Sequence, residues 1–208
     1  MALSKEPNPT VFEKTMGIND FYFGADDWDF PLGHIQMLGK SDAEMVQGEA
    51  PDWAVFKPSI ALKDMAGHAL DFWLTCEDLP HPDNRVTLDR DGGIVLHLTH
   101  VDDEPHQRLM AKLNLMLGAI DCHEHLLPRS LYLGKNIPIG GTAHQCGTIR
   151  FGSDPQTSAL DINCKAHDLD NLYVVDGSFF VSAAAVNPAL TIMANALRVG
   201  DHLLDRLG

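Results

Sequence analysis

The stretch Arg85–Leu98 constrains the fold of this chain more than any other. Two β-prone runs, Arg85–Asp89 (RVTLD) and Ile94–Leu98 (IVLHL), flank Arg90-Asp91-Gly92-Gly93. Asp-Gly between two such runs reverses the chain tightly, because glycine accepts the positive φ that the turn needs. The two runs must then pair antiparallel. Further strands are expected at Gly33–Leu38 (GHIQML) and His68–Cys76 (HALDFWLTC), so an antiparallel sheet is the expected scaffold.

Helical signals lie around it. Leu109, Leu113, Met116 and Leu117 recur at helical spacing and predict a helix over Glu104–Ile120, with Asp102 or Asp103 to cap it and Gly118 near its end. The chain then reads as irregular over Leu126–Gly141, and a short strand, Asn171–Asp176 (NLYVVD), follows. A final helix is the clearest element. Asn187 is a good N-cap, Pro188 fits the first helical position, and Leu190, Met193, Ala194, Leu197 and Leu204 form an apolar stripe. Strands first and helices in the middle and at the end give an α+β class, an antiparallel sheet flanked by helices.

Charge and composition narrow the function. Twenty-nine acidic residues against 15 basic ones give a net charge of −14, which repels a phosphate backbone and an anionic bilayer alike. No nucleic-acid or membrane partner is expected. No apolar run reaches bilayer length and the opening residues are not a signal peptide, so a cytoplasmic protein is expected. The four cysteines, Cys76, Cys122, Cys146 and Cys164, lack C-x-x-C pairing and read as free, mostly buried thiols. Cys122-His123-Glu124-His125 is consecutive, so its side chains cannot all converge on one ion, and no metal site is expected. His97 and His100 read as surface residues. Asp26, Asp27 and Asp29 around Trp28 read as a solvated turn, with a substrate-side loop as the lesser alternative. There is no G-x-S-x-G and hence no sign of a serine hydrolase.

Three segments remain. Gly140-Gly141-Thr142-Ala143-His144-Gln145-Cys146-Gly147-Thr148 is a Gly-rich loop presenting a histidine. Val174-Val175-Asp176-Gly177-Ser178 runs a strand into a Gly turn. Asn187-Pro188-Ala189-Leu190-Thr191 opens the last helix. Each alone is ordinary: a structural histidine, a corner, a cap.

Their order is not ordinary. His144-x-x-Gly147-Thr148, Asp154-Pro155, Asn171 through Ser178 and Asn187-Pro188-x-Leu190-Thr191-Ile192 together resemble the C-terminal signature of the glucose–methanol–choline oxidoreductases. Asn84-Arg85-Val86-Thr87-Leu88 and Gly33-His34-Ile35-Gln36 resemble strands of that family's substrate domain. The resemblance implies a substrate-binding domain over 1–139 and a catalytic, flavin-contacting segment over 140–208. It implies FAD as cofactor and a small-molecule alcohol or sugar as substrate. His144 matches the family's active-site histidine, and Asn187 matches its second active-site position. Asp176 and Gly177 match a turn whose backbone approaches the cofactor. Pro188 and Ala189 open the helix that would point at it.

The chemistry fits these roles. Oxidising an alcohol removes the hydroxyl proton while a hydride leaves the carbon. Histidine titrates near neutrality and can take that proton. The Asn187 amide can orient the hydroxyl without titrating, in addition to or instead of capping the helix. The helix N-terminus offers unpaired N–H groups and positive dipole to the charge arriving on the flavin.

The resemblance also implies an absence. No two glycines are spaced G-x-G, so the dinucleotide fingerprint is lacking. The chain is therefore expected to be a fragment, a truncated product or one piece of a split enzyme, lacking the N-terminal FAD-binding region. Alone it should hold flavin weakly and turn over poorly. Its C-terminal strand and helix, meant to pack on that region, should leave an apolar patch exposed. The rival reading is a non-catalytic module of the same fold that binds a carbohydrate or a partner protein. No polar cluster marking a sugar site stands out in the sequence.

Overall fold

The computed structural model describes residues 2–9, 16–40, 42, 44, 59–99, 103–120 and 143–208. It divides into two compact units, one of Met1–Cys76 with Asp103–Thr142 and the other of Glu77–Asp102 with Ala143–Gly208. The class is mixed α and β with small antiparallel sheets, as expected.

In the first unit, β1 (Ala2–Leu3) pairs with β4 (Ala69–Leu70), and β2 (Gly17–Ile18), β3 (His34–Met37) and β5 (Phe72–Thr75) form a three-stranded sheet. The run expected as one strand at His68–Cys76 is divided. A helix, α1 (Ser59–His68), reaches its first residue, and β4 and β5 are separated at Asp71. The two halves serve different partners. Ala69 and Leu70 pair with β1, whereas Phe72–Thr75 pair with β3, and the Asp71 carbonyl accepts from the Leu38 N–H at 2.8 Å.

Helix α2 (Glu104–Gly118) lies where its periodicity places it, ending two residues earlier than expected. Asp103 occupies the N-cap position, but its side chain makes no capping hydrogen bond. Leu109, Leu113 and Leu117 are buried in one core with Ala2, Leu32 and Ile35, and Ile18, Phe72 and Leu74 pack against it. The loop before β3 keeps Asp26, Asp27 and Asp29 exposed, as expected of a solvated turn, and is tied to this helix. Lys112 Nζ donates to Asp27 Oδ1 at 2.7 Å, and the Arg108 guanidinium lies 4.1 Å over the Trp28 ring. The Lys112 hydrogen bond, with help from the Arg108 charge, holds the Asp27 carboxyl below the usual carboxylate range.

In the second unit, β6 (Arg85–Leu88) and β7 (Ile94–His97) form the expected hairpin, in the register Arg85↔His97 and Leu88↔Ile94. Gly92 takes φ +81° as anticipated. The turn is also tied by Asp89, whose Oδ1 accepts from the N–H groups of Asp91 and Gly93 at 2.9 and 2.7 Å. The rest of the unit is held by turns and single bridges. The strand expected at Asn171–Asp176 reduces to one antiparallel bridge, Lys165↔Tyr173. No strand among the described residues runs beside it, and β-prone sequence alone cannot make a ladder.

The final helix, α3 (Ala189–Leu207), starts one residue later than expected. Pro188 is its N-cap, already in the right-handed helical region, and Asn187 stands just outside. The Pro188 carbonyl accepts the first bond, from the Ile192 N–H at 3.0 Å. One face of α3 packs through Ile192, Val199 and Leu203 on a core of Leu160, Cys164 and Phe179. The stripe of Leu190, Met193, Leu197 and Leu204 points the other way and is exposed, Leu190 at 76% and Leu197 at 73%. Leu172 and Val175 are exposed as well. No described helix is long and apolar enough to cross a membrane.

Candidate active site

The site segments converge on Gly177. Asp176 caps the 3-10 turn Gly177–Phe179, its Oδ1 accepting from the Ser178 N–H at 2.8 Å. Hydrogen bonding to the Ser178 side chain, together with this backbone bond, holds the Asp176 carboxyl below its ordinary range. The Asp176 side chain is thus engaged within its own turn.

The histidine loop runs alongside this turn. The N–H groups of Gly147, Ile149 and Phe151 donate to the carbonyls of Gly177, Ser178 and Phe179 at 3.3, 3.0 and 3.1 Å. Below the ladder, the rings of Phe151 and Phe179 meet edge to face at 5.6 Å. These bonds seat the backbone three residues beyond His144 against the turn.

Gly177 is crowded from two sides. A Cβ there would stand 3.2 Å from the Gln145 carbonyl oxygen and 3.4 Å from Ile192 Cδ1 on the first turn of α3. A side chain there would have to push the Gln145 carbonyl or Ile192 aside by a few tenths of an ångström. Gly177 is also the point where the loop bearing His144 meets the helix that Asn187, Pro188 and Ala189 open. His144, Asn187, Asp176 and Ala189 are all exposed, while Gly177 and Pro188 are half-buried.

A brace that the sequence did not announce lies behind the site. Cys164 is fully buried and adopts φ 60°, and its Sγ accepts from Asn195 Nδ2 at 3.3 Å. Arg198 Nε and a terminal nitrogen donate to Asn195 Oδ1 at 3.1 and 2.9 Å. This fixes the rotation of α3, and with it the outward face. At the far end, Arg206 donates to the Tyr173 hydroxyl at 2.6 Å and the Asp170 carbonyl at 2.8 Å. A positive-φ cysteine and helix polar residues at i and i+3 leave no recognisable sequence signal, whereas Tyr173 and Ile192 lie within the motifs at Asn171–Ser178 and Asn187–Ile192.

Of the other cysteines, Cys76 and Cys146 are half-buried, and burial pushes the Cys76 thiol up to about 11. Burial, with Asp78 nearby, raises Cys146 as well. No group of three His, Cys, Asp or Glu side chains among the described residues is placed to hold a metal ion. Gly140–Thr142, Asp102, His100 and Cys122–His125 lie outside the described residues.

Gln145, the residue after His144, and Ile192 on the first turn of α3 thus both border Gly177. Residues 129–196 match the family model described as GMC oxidoreductase. The chain is 34% identical to 2-methyl-1,2-propanediol dehydrogenase of Mycolicibacterium austroafricanum, covering 67% of this chain and 26% of that protein. It is 36% identical to pyranose 2-oxidase of Tricholoma matsutake, over 84% of this chain and 27% of that one. It is also 36% identical to 6'''-hydroxyparomomycin C oxidase of Streptomyces lividus, over 62% and 24%. In fold, it superposes on pyridoxine 4-oxidase from Mesorbium loti with TM-score 0.56 and 20% identity, over 97% of this chain and 40% of that chain. The chain thus spans about a quarter of the length of the curated relatives it matches. It contains the C-terminal region of a GMC oxidoreductase.

Proposed function

We propose that this chain is the substrate-side part of an FAD-dependent oxidoreductase acting on the CH–OH group of an alcohol or sugar, with His144 as the base. One observation carries the reading: Gly177 sits between the Gln145 carbonyl and Ile192, so the His144 loop and the start of α3 share one corner.

The residues at that corner suit a flavin. Helix α3 is 19 residues long, has no acidic side chain in its first turn and has no side-chain cap. Its first N–H groups are unpaired by the helix itself, and Ala189 and Leu190 are exposed. Those donors, at Ala189 and Leu190, and the helix dipole would hold an electron-rich ring edge, with Pro188 and the backbone of Asp176 and Gly177 beside it. Bound there, FAD supplies the two-electron acceptor for the hydride that leaves the carbinol carbon.

The chain's own residues do the rest. The imidazole of His144 takes the hydroxyl proton as the C–H bond breaks. The Asn187 amide, one residue outside the helix and free of a capping role, orients the hydroxyl so that its carbon faces the acceptor. The α3 dipole stabilises the charge that arrives. The exposed stripe of Leu190, Met193, Leu197 and Leu204 is the surface we assign to the flavin-binding region that the longer relatives carry.

The test is anaerobic. The protein, in the polypeptide context in which it retains FAD, is mixed with D-glucose, D-fructose and 1,2-propanediol, and the oxidised-flavin absorbance is followed. Bleaching by at least one of them is expected. Absence of bleaching by these and by a wider panel of primary and secondary alcohols would defeat the reading.

A further inference from the structure

Asn187 stands outside α3, so the helix alone does not place it. The segment that delivers it, 181–186, leaves the Gly177–Phe179 turn and has no helix or strand of its own. What holds this segment comes from far away in the chain. The Ala183 N–H donates to the Asp78 carbonyl at 2.9 Å and the Asp78 N–H donates to the Ala183 carbonyl at 2.9 Å, an antiparallel bridge closed on both sides. One residue back on each strand, the Ser182 hydroxyl donates to Glu77 Oε1 at 2.6 Å, across 105 positions of sequence.

The bridge explains the pairing. Side chains alternate between faces along extended backbone, so Glu77 and Ser182 share the face opposite to Asp78 and Ala183 and stand as diagonal neighbours, within reach of a long side chain. A hydroxyl donating to a carboxylate at this distance makes a charge-assisted bond, about twice as strong as a neutral one. Both partners are half-buried, which limits competition from water. Asp78, on the other face, is exposed and lies near Cys146, whose thiol is raised by burial and then by the Asp78 charge. The Glu77-Asp78 step therefore serves both the segment before Asn187 and the loop that bears His144.

Asn187 thus hangs between two fixed points, the bridge at Ala183 and the first α3 hydrogen bond at the Pro188 carbonyl. Release of the bridge would lengthen its upstream tether from 184–186 to 180–186, back to the end of the Gly177–Phe179 turn. At about 3.3–3.6 Å of reach per residue, the longer tether lets the amide leave its place. We infer that Glu77 is a positioning residue for the proposed reaction: its carboxylate, through Ser182, fixes the segment that sets the Asn187 amide. The inference rests on the reading of Asn187 as the group that orients the substrate hydroxyl. Glu77 acts through residues 182–187 and needs no contact with substrate or flavin.

Two measurements test it, the first without chemistry. In the intact chain the backbone amide of Asn187 is followed by NMR relaxation. Glu77→Ala should lower its order parameter from about 0.85 to below about 0.6, while Glu77→Gln, whose amide oxygen still accepts from Ser182, should keep it high. Ser182→Ala, a gentler change, should reproduce the loss, and the amides of the β6–β7 hairpin should keep their values in every variant. The second uses the FAD-retaining protein and a substrate that bleaches the wild type. Glu77→Ala and Ser182→Ala should each lower kcat about tenfold with KM within about twofold, and Glu77→Gln should restore it. In an Asn187→Ala background neither should lower kcat further, because a group that acts through Asn187 has nothing left to place. Losses that add to that of Asn187→Ala, or an unchanged order parameter in both alanine variants, would overturn the inference. A wild type that no alcohol or sugar bleaches would defeat the redox reading instead, and the relaxation measurement would still decide whether Glu77 fixes Asn187.

Discussion

Helices α2 and α3 are both amphipathic, yet they place their apolar residues in opposite ways. Helix α2 buries Leu109, Leu113 and Leu117 against a sheet that covers them. Helix α3 has two apolar faces. One, through Ile192, Val199 and Leu203, closes a small core, while Leu190, Met193, Leu197 and Leu204 remain exposed. The difference teaches that an apolar stripe fixes a helix but does not say what covers it. The first unit is organised by ladders and a shared core. The second, beyond its one hairpin and small core, is organised by capped turns, single bridges and a polar brace, and it keeps most of the exposed large apolar side chains among the described residues.

The largest contrast should appear on truncation. Leu113→Ala removes a side chain that is 2% exposed and should cost about 2–5 kcal/mol in chemical denaturation. Leu197→Ala, at 73% exposed, should stay within about 0.5 kcal/mol in the same chain. Equal losses would mean that the stripe is covered and the comparison wrong. Gly177→Ala comes next. Its methyl group must enter a gap 3.2 Å from the Gln145 oxygen, so about 1–3 kcal/mol should be lost, and the proposed activity with it. Full activity in that variant would separate the turn from the site.

The brace predicts a smaller effect. Asn195→Ala removes the donor to the buried Cys164 thiol and the acceptor for Arg198, and the unfolding free energy from chemical denaturation should fall by about 1 kcal/mol. The smallest effect belongs to Asp176, whose exposed carboxylate caps its turn. Its folded pKa is lowered, so its contribution is present above the unfolded carboxyl value and is lost as pH falls through the folded value. Asp176→Ala should therefore cost about 0.5 kcal/mol at pH 7, discounted for exposure, and the gap from wild type should close in acid. A gap that widened in acid would contradict the assigned cap.

What the sequence makes legible is local. The hairpin at Arg85–His97 follows from its turn chemistry, and α2 and α3 follow from periodicity within one residue or two. The strand at Asn171–Asp176 fails because a strand needs a partner. The division of His68–Cys76 at Asp71 fails to show because it depends on which strands flank each half. At the site, motif order points to His144, Gly177 and Asn187. The seating of the loop after His144 on the Gly177 turn depends on backbone bonds between residues about thirty positions apart, and the roles of Cys164, Asn195 and Ile192 depend on tertiary packing.

The most direct test of the central claim is the rate of flavin bleaching after anaerobic mixing with an alcohol or sugar that reduces the wild-type, FAD-loaded protein, compared with His144→Ala. The variant should bleach slower by about 10²- to 10⁴-fold, with its flavin content and unfolding midpoint unchanged. Bleaching at the wild-type rate would show that His144 is not the base and that the corner at Gly177 is not the reactive face.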